Sequence, residues 1–161
     1  VFVNTGGTTP EQCAAIRAQA MAVGAVDHHE VDARDLVFNR FVRFLIQANV
    51  LRGEVYPLSV AAERTQQAIS VVAVAREIGA VAVAHGSTGA GNDQIRFDIA
   101  LRVLAPELEI VTPIREENLS REASIAYLEA RGLPVPPKSG VRGPLTRTAS
   151  MALTIASCAA L

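Results

Sequence analysis

The residue types able to do chemistry in this 161-residue chain converge on one stretch, His85-Gly-Ser-Thr-Gly-Ala-Gly-Asn-Asp-Gln-Ile-Arg-Phe-Asp98. The apolar run Val81 to Ala84 feeds into glycines at 86, 89 and 91, and helical spacing resumes at Ile95. A strand, a glycine-rich loop and a helix in that order present free backbone N–H groups and the positive end of a helix dipole to an anion. Phosphate or carboxylate is the expected guest. The intervals match neither the Walker pattern nor the dinucleotide fingerprint, since no Lys follows the last glycine.

Asn92 and Arg96 lie four apart, hence on one helix face, and Asp93 adds an acceptor for an ammonium group. With Arg96 as a fork for carboxylate and Thr88 as a hydroxyl donor, the set suits a zwitterion. The same residues allow plainer roles. A glycine-rich connection can be only a turn, Asn92 or Asp93 can cap the helix, and Asp93 can pair with Arg96 in its first turn. His85 ends its strand at the ligand rim, where a hydrogen-bonded structural group is as reasonable as an acid or base. Tyr56-Pro57-Leu58 suits a turn anchor, and Glu63 and Arg64 open a helix as solvent-facing or dipole-related charges. His28 and His29, adjacent on an expected strand, point to opposite faces and read as a surface pair rather than a metal site.

The elements that must position these residues follow from periodicity. Val1 to Val3 is a short strand running into Asn4-Thr5-Gly6-Gly7. Thr9 and Pro10 start a helix with apolar positions Cys13, Ile16, Ala20 and Val23 and a closing Gly24. Ala25 to Val31 reads as a second strand. Asp32 then caps a helix carrying Val37, Phe41, Phe44, Leu45 and Ala48, ending near Asn49. The next helix turns Ala68, Val71, Val72, Ala75 and Ile78 to the core before Gly79. After Val81 to Ala84 and the glycine loop comes a helix with Ile95, Ile99, Val103 and Leu104, then a strand over Leu108 to Val111. Ser120 caps a helix with Ile125 and Leu128 apolar, closed by Gly132. From Thr148 onward, Ala and Leu favour a terminal helix. Strands alternating with helices predict an α/β, doubly wound parallel sheet. Ligands of such sheets bind at the carboxyl ends of the strands, which puts the loops after Asn4 and after His85 on one rim.

Composition narrows the partners. A formal charge of −1 with 19% charged residues offers no field to recruit nucleic acid or an acidic membrane surface. Small molecules are left. Half the residues are hydrophobic but only 4% aromatic, as expected of buried parallel strands covered by small-residue helices. Cys13 and Cys158 sit in no metal or disulfide spacing, which suits a reduced, cytoplasmic protein. No apolar run is long enough for a bilayer, and a start at Val1, already in a strand, reads as mid-protein.

The stretch 85–98 is similar to the sequence His-Gly-x-Thr-Gly-Lys-Gly-Asn-Asp-Gln-Val-Arg-Phe-Glu of argininosuccinate synthases. Tyr56-Pro57-Leu58 before a helix and Thr112-Pro113-Ile114-Arg115 after a strand recur in the same order in that family. The resemblance covers about residues 1–138 and leaves 139–161 as a divergent tail. It implies an adenine nucleotide alpha hydrolase-like domain of the PP-loop or HUP type. The reaction it implies joins citrulline and aspartate at the expense of ATP, through a citrullyl-adenylate, in arginine biosynthesis and the urea cycle. By position it puts Val3 and Gly86 on ATP, Thr88, Asn92 and Asp93 on aspartate, and Tyr56, Asn92 and Arg96 on citrulline. No side chain is implied as a catalytic nucleophile or metal ligand, and Mg²⁺ would come bound to ATP.

The chain also departs from the family. Ala90 stands where many members have Lys, and Ala61 where a citrulline-binding hydroxyl is usual. The pyrophosphate-binding Ser-Gly-Gly-x-Asp-Thr-Ser loop would precede Val1, and its strand would lie between Val1 to Val3 and Val81 to Ala84. Its absence from these residues predicts an opened sheet with two exposed apolar edges. The tail does not resemble the C-terminal domain through which the family forms homotetramers. These departures predict a fragment inactive by itself; the alternative is a non-catalytic remnant that holds aspartate or a nucleotide.

Overall fold

Two β-α-β units organise the chain. The computed structural model describes residues 1–89, 91–133, 135 and 154–156, without the side chains of residues 56, 57 and 154–156. In the first unit β1 (Phe2–Asn4) leads through α1 (Pro10–Ala22) to β2 (Glu30–Asp32), which pairs with β1 in parallel with Val3 opposite Val31. A rod follows, made of α2 (Arg34–Val37), a π-helical turn (Phe38–Val42) and α3 (Arg43–Gln47). A short hairpin, β3 (Leu51–Arg52) and β4 (Tyr56–Pro57), then delivers the chain to the long helix α4 (Ser59–Glu77). In the second unit β5 (Ala82–Ala84) leads through α5 (Asp93–Leu104) to β6 (Glu109–Val111), again parallel, with Val83 opposite Ile110. Beyond it come α6 (Pro113–Glu116), α7 (Arg121–Ala130) and β7 (Thr154–Ala156).

Local chemistry accounts for the helix ends. At α1 the Thr9 hydroxyl accepts from the Gln12 N–H at 3.3 Å while the Gln12 side chain accepts from the Thr9 N–H at 2.9 Å, a reciprocal capping box. Gly24, just past the end, has φ 99°, a conformation that a Cβ disfavours. Ser120 caps α7 by accepting from the Ala123 N–H at 3.1 Å.

One core serves both units. Ala68, Val71, Val72 and Ala75 of α4 cluster with Val3 of β1, Val83 of β5, and Phe97 and Leu101 of α5. Burial of each of the two larger side chains contributes about 1.5–3 kcal/mol. The small side chains on this face of α4 let a single helix lie close to both units. Among the described residues β1 and β5 do not pair with one another: β1 and β2 form one sheet, and β6, β5 and β7 another. Among the described residues β5 does not have the bare edge expected from the sequence. β7 adds to it antiparallel, with Ala82 opposite Ala156 and Ala84 opposite Thr154.

Several expectations are corrected. Thr154–Ala156 is a strand rather than part of a terminal helix, because a local preference for helix yields to the hydrogen-bonding demand of an open strand edge. The rest of that expected helix lies outside the described residues. The second strand occupies Glu30–Asp32, not Ala25 to Val31, and His28 is buried in the loop before it. On α5 the stripe Ile95, Ile99 and Val103 is 52%, 59% and 74% exposed, while Phe97 and Leu101 face the core. Val23, Phe44 and Ile78, expected inside, are also exposed. Among the described residues no helix is long and apolar enough to cross a membrane.

Candidate functional site

The loop after β5 begins at His85, whose backbone N–H donates to Val111 O at 3.0 Å and so ties the loop's root to β6. Gly86 and Thr88 are exposed on it. Asn92 occupies the N-cap position of α5 without a side-chain capping bond, which leaves its exposed amide group outside the helix. Asp93 and Arg96 share the first turn. Arg96 donates from NH1 to Asp93 Oδ1 at 2.6 Å.

Asp93 has a second cation that the sequence did not reveal. Arg64, only 14% exposed in its side chain, donates from Nε to Asp93 Oδ2 at 3.2 Å and from NH1 to Gln67 Oε1 at 3.2 Å. It also lies 3.4 Å from Glu63 Oε2, and Glu63 Oε1 accepts from the Thr5 hydroxyl at 2.5 Å. Glu63 and Arg64 are thus not solvent-facing charges. They link the loop after β1 to the start of α5. Nothing in their own segment signals this, since Asp93 is 29 residues from Arg64 in sequence.

A second cluster lies on the other side of the loop. His85 Nε2 is 2.9 Å from Asp98 Oδ1, and Asp98 Oδ2 is 2.9 Å from Arg115 NH2. Arg115 NH2 also donates to the Thr112 hydroxyl at 3.2 Å. Thr112 in turn donates from its hydroxyl to Glu116 Oε1 at 2.6 Å and from its N–H to the same oxygen at 3.0 Å. These two bonds, the hydroxyl first, hold the Glu116 carboxyl below its ordinary value. The His85 ring tilts against Phe97 with centroids 5.8 Å apart, so it is seated on the core as well.

The chemistry available follows from charge placement. A carboxylate between two guanidinium groups retains lone pairs for an ammonium, and each guanidinium retains N–H donors for a carboxylate. Ammonium and carboxylate groups are thus the chemistry this surface could take up. Of the residues expected in the site, Asp93 and Arg96 are in direct contact, Asn92 adjoins them, and Gly86 and Thr88 stand on the same loop. Val3 is buried in the core, so anything it offers a nucleotide is main chain. Tyr56 lies on β4 at the entrance to α4; its side chain is outside the described residues. Among the described residues no group of three His, Cys, Asp or Glu side chains is placed to hold a metal ion.

A family model described as the arginosuccinate synthase N-terminal HUP domain matches residues 1–134. The chain belongs to that family. The α/β fold with its parallel strands is that of a Rossmann-like, PP-loop nucleotide-binding domain. Among curated relatives, the argininosuccinate synthase of Synechococcus sp. is 49% identical over 121 residues, which are 75% of this chain and 30% of that protein. That of Methanocaldococcus jannaschii is 41% identical over 133 residues, 83% of this chain and 33% of its own length. That of Sulfolobus acidocaldarius is 40% identical over 124 residues, 77% and 32%. The chain thus spans about a third of the length of the curated relatives it matches.

Proposed function

We propose that this chain supplies the amino-acid-holding half of a citrulline–aspartate ligase site. The observation that carries the reading is the cluster of Asp93, Arg96 and Arg64 at the first turn of α5, beside an exposed glycine loop. Thr88, Asn92 and Asp93 take aspartate, with the Asp93 carboxylate on its ammonium group. Tyr56, Asn92 and Arg96 take citrulline, with Arg96 on its carboxylate. ATP lies along the main chain near Val3 and Gly86 and brings Mg²⁺ on its phosphates. The ureido oxygen of citrulline displaces pyrophosphate from ATP to give the citrullyl-adenylate. The aspartate amine then attacks the ureido carbon and expels AMP. These residues offer placement and charge rather than a nucleophile, so proximity and electrostatic stabilisation carry the rate.

Residues 1–138 form the nucleotide-binding domain in this reading and 139–161 a tail, in a cytoplasmic enzyme of arginine biosynthesis. The family's phosphate-binding loop is not among the 161 residues, which favours binding without turnover by these residues alone. Calorimetry tests the assignment. Asp93→Ala is expected to weaken aspartate binding, and Arg96→Ala citrulline binding, each by about thirtyfold or more, the scale for removing one partner of a charged contact. Failure of both amino acids to bind the unaltered chain, or indifference of both affinities to these changes, would overturn it. Release of AMP on adding ATP, citrulline and aspartate would show that the residues given suffice for turnover.

A further inference from the structure

The glycine loop is closed by a ring of polar contacts, none of which belongs to the residues assigned to substrate. His85 is 4% exposed, and its Nδ1 faces the Ser87 N–H at 3.4 Å. An amide N–H can only donate, so Nδ1 is the acceptor and the ring proton sits on Nε2, aimed at Asp98 Oδ1. Asp98 passes the chain to Arg115 through its other oxygen at 2.9 Å. Arg115 NH1 donates to Gln94 Oε1 at 3.4 Å, and Gln94 Nε2 donates to Gly89 O at 2.7 Å. From Ser87 through His85, Asp98, Arg115 and Gln94 to Gly89, the circuit begins and ends on the loop. It leaves Thr88 between its two anchors.

We infer that His85, Asp98, Arg115 and Gln94 are positioning residues that fix the Ser87–Gly89 main chain and thereby aim Thr88 at the substrate aspartate. The inference rests on the assignment of Thr88 to aspartate made above. Arg115 is the hub, because its planar fork alone reaches Asp98, Gln94 and Thr112 together. An exposed loop without such bracing would give up part of its binding energy to being ordered at each encounter. Asp98 gives one oxygen to the imidazole and the other to the guanidinium.

The test uses the full chain labelled with ¹⁵N-histidine, together with calorimetry for aspartate and citrulline. The unaltered chain should show His85 in the Nε2–H tautomer. Asp98→Asn keeps an oxygen for His85 but turns an amide N–H₂ toward Arg115, and Arg115→Gln removes the hub. Either should mix the tautomers and raise the aspartate Kd about tenfold, the scale for losing one hydrogen-bonded support. The citrulline Kd should stay where it was, a separation that general loosening would not produce. Arg115→Lys, which keeps the charge opposite Asp98, should recover part of the loss. Unchanged tautomer and unchanged aspartate affinity in both Asp98→Asn and Arg115→Gln would overturn the inference, as would equal losses for both amino acids. If the unaltered chain binds no aspartate while the His85 signals respond to Arg115→Gln, the assignment of substrate falls and the bracing of the loop stands.

Discussion

The loops after β1 and β5 both leave the carboxyl end of a strand in a β-α-β unit, yet they are built from different material. The first is shaped by its main chain: Gly6 and Gly7 have φ 115° and 77°, and Asn4 Oδ1 accepts from the Gly6 N–H at 3.0 Å. Its side chains reach other elements through Asn4 to Cys13 of α1 and Thr5 to Glu63 of α4. The second is braced by charged and polar side chains of α5 and α6, and the helix that follows it is tied to α4 through Arg64 and Asp93. Bare N–H groups on glycines can approach a phosphate closely but discriminate little. A braced loop between fixed charges selects a small ligand by the distance between its own charges.

Substitutions can break or sharpen this contrast, beginning with the largest effect. Phe97→Ala is expected to cost about 3–5 kcal/mol in urea denaturation, because the ring fills the core and supports His85. Val3→Ala, on the glycine-loop side, should cost about 2 kcal/mol or less; equal losses would erase the difference between the units. Next comes Arg64→Ala, which frees one oxygen of Asp93 and should raise the aspartate Kd about tenfold in calorimetry. An unaltered Kd would mean that Arg96 alone holds Asp93 in place. Thr5→Val deletes the hydrogen bond from the loop after β1 to Glu63 of α4 and should lower stability by about 1 kcal/mol with aspartate affinity preserved.

Acidity gives the mildest separation. Burial lowers the His28 pKa below its ordinary 6.5, so the unfolded chain takes up this proton before the folded one. Stability should therefore rise with pH through 6.5 and decline as pH falls below it toward the lowered value. Glu116 has the same sign in a more acidic window. Thr112 holds it below 4.5, and its contribution is present above 4.5 and lost only as pH falls through the lowered value. Hydrogen exchange between pH 6.5 and 4.5 should loosen β2 amides before β6 amides, and His28→Gln should flatten that response. Simultaneous loosening in both strands would contradict it.

The sequence made the strand–loop–helix unit at 81–104 legible because strand and helix periods meet at a glycine run, and Thr9 and Ser120 were legible because capping is local. The inner face of α5 was not. Ile95, Ile99 and Val103 make as good a helical stripe as Phe97 and Leu101, and period alone cannot choose between them. The choice is made by Asp98, which must reach His85 and Arg115, and by the His85 ring against Phe97. The role of Arg64 is hidden for the same reason: its partner comes from another helix. Asp93 and Arg96 were readable as a pair because both lie within one turn.

The antiparallel addition of β7 to β5 also sets a clock for folding. Thr154–Ala156 pairs with a strand made roughly seventy residues earlier, and closing so long a loop is slow beside forming a helix or a β-α-β unit. During synthesis β5 and β6 can pair as soon as β6 is complete, whereas the pairing of β5 with β7 must wait for residues 154–156. Until then that edge of Ala82–Ala84 has, among the described residues, no other strand to pair with, and an open edge is a template for another chain. Slow closure of this edge would then favour pairing between chains over pairing within one.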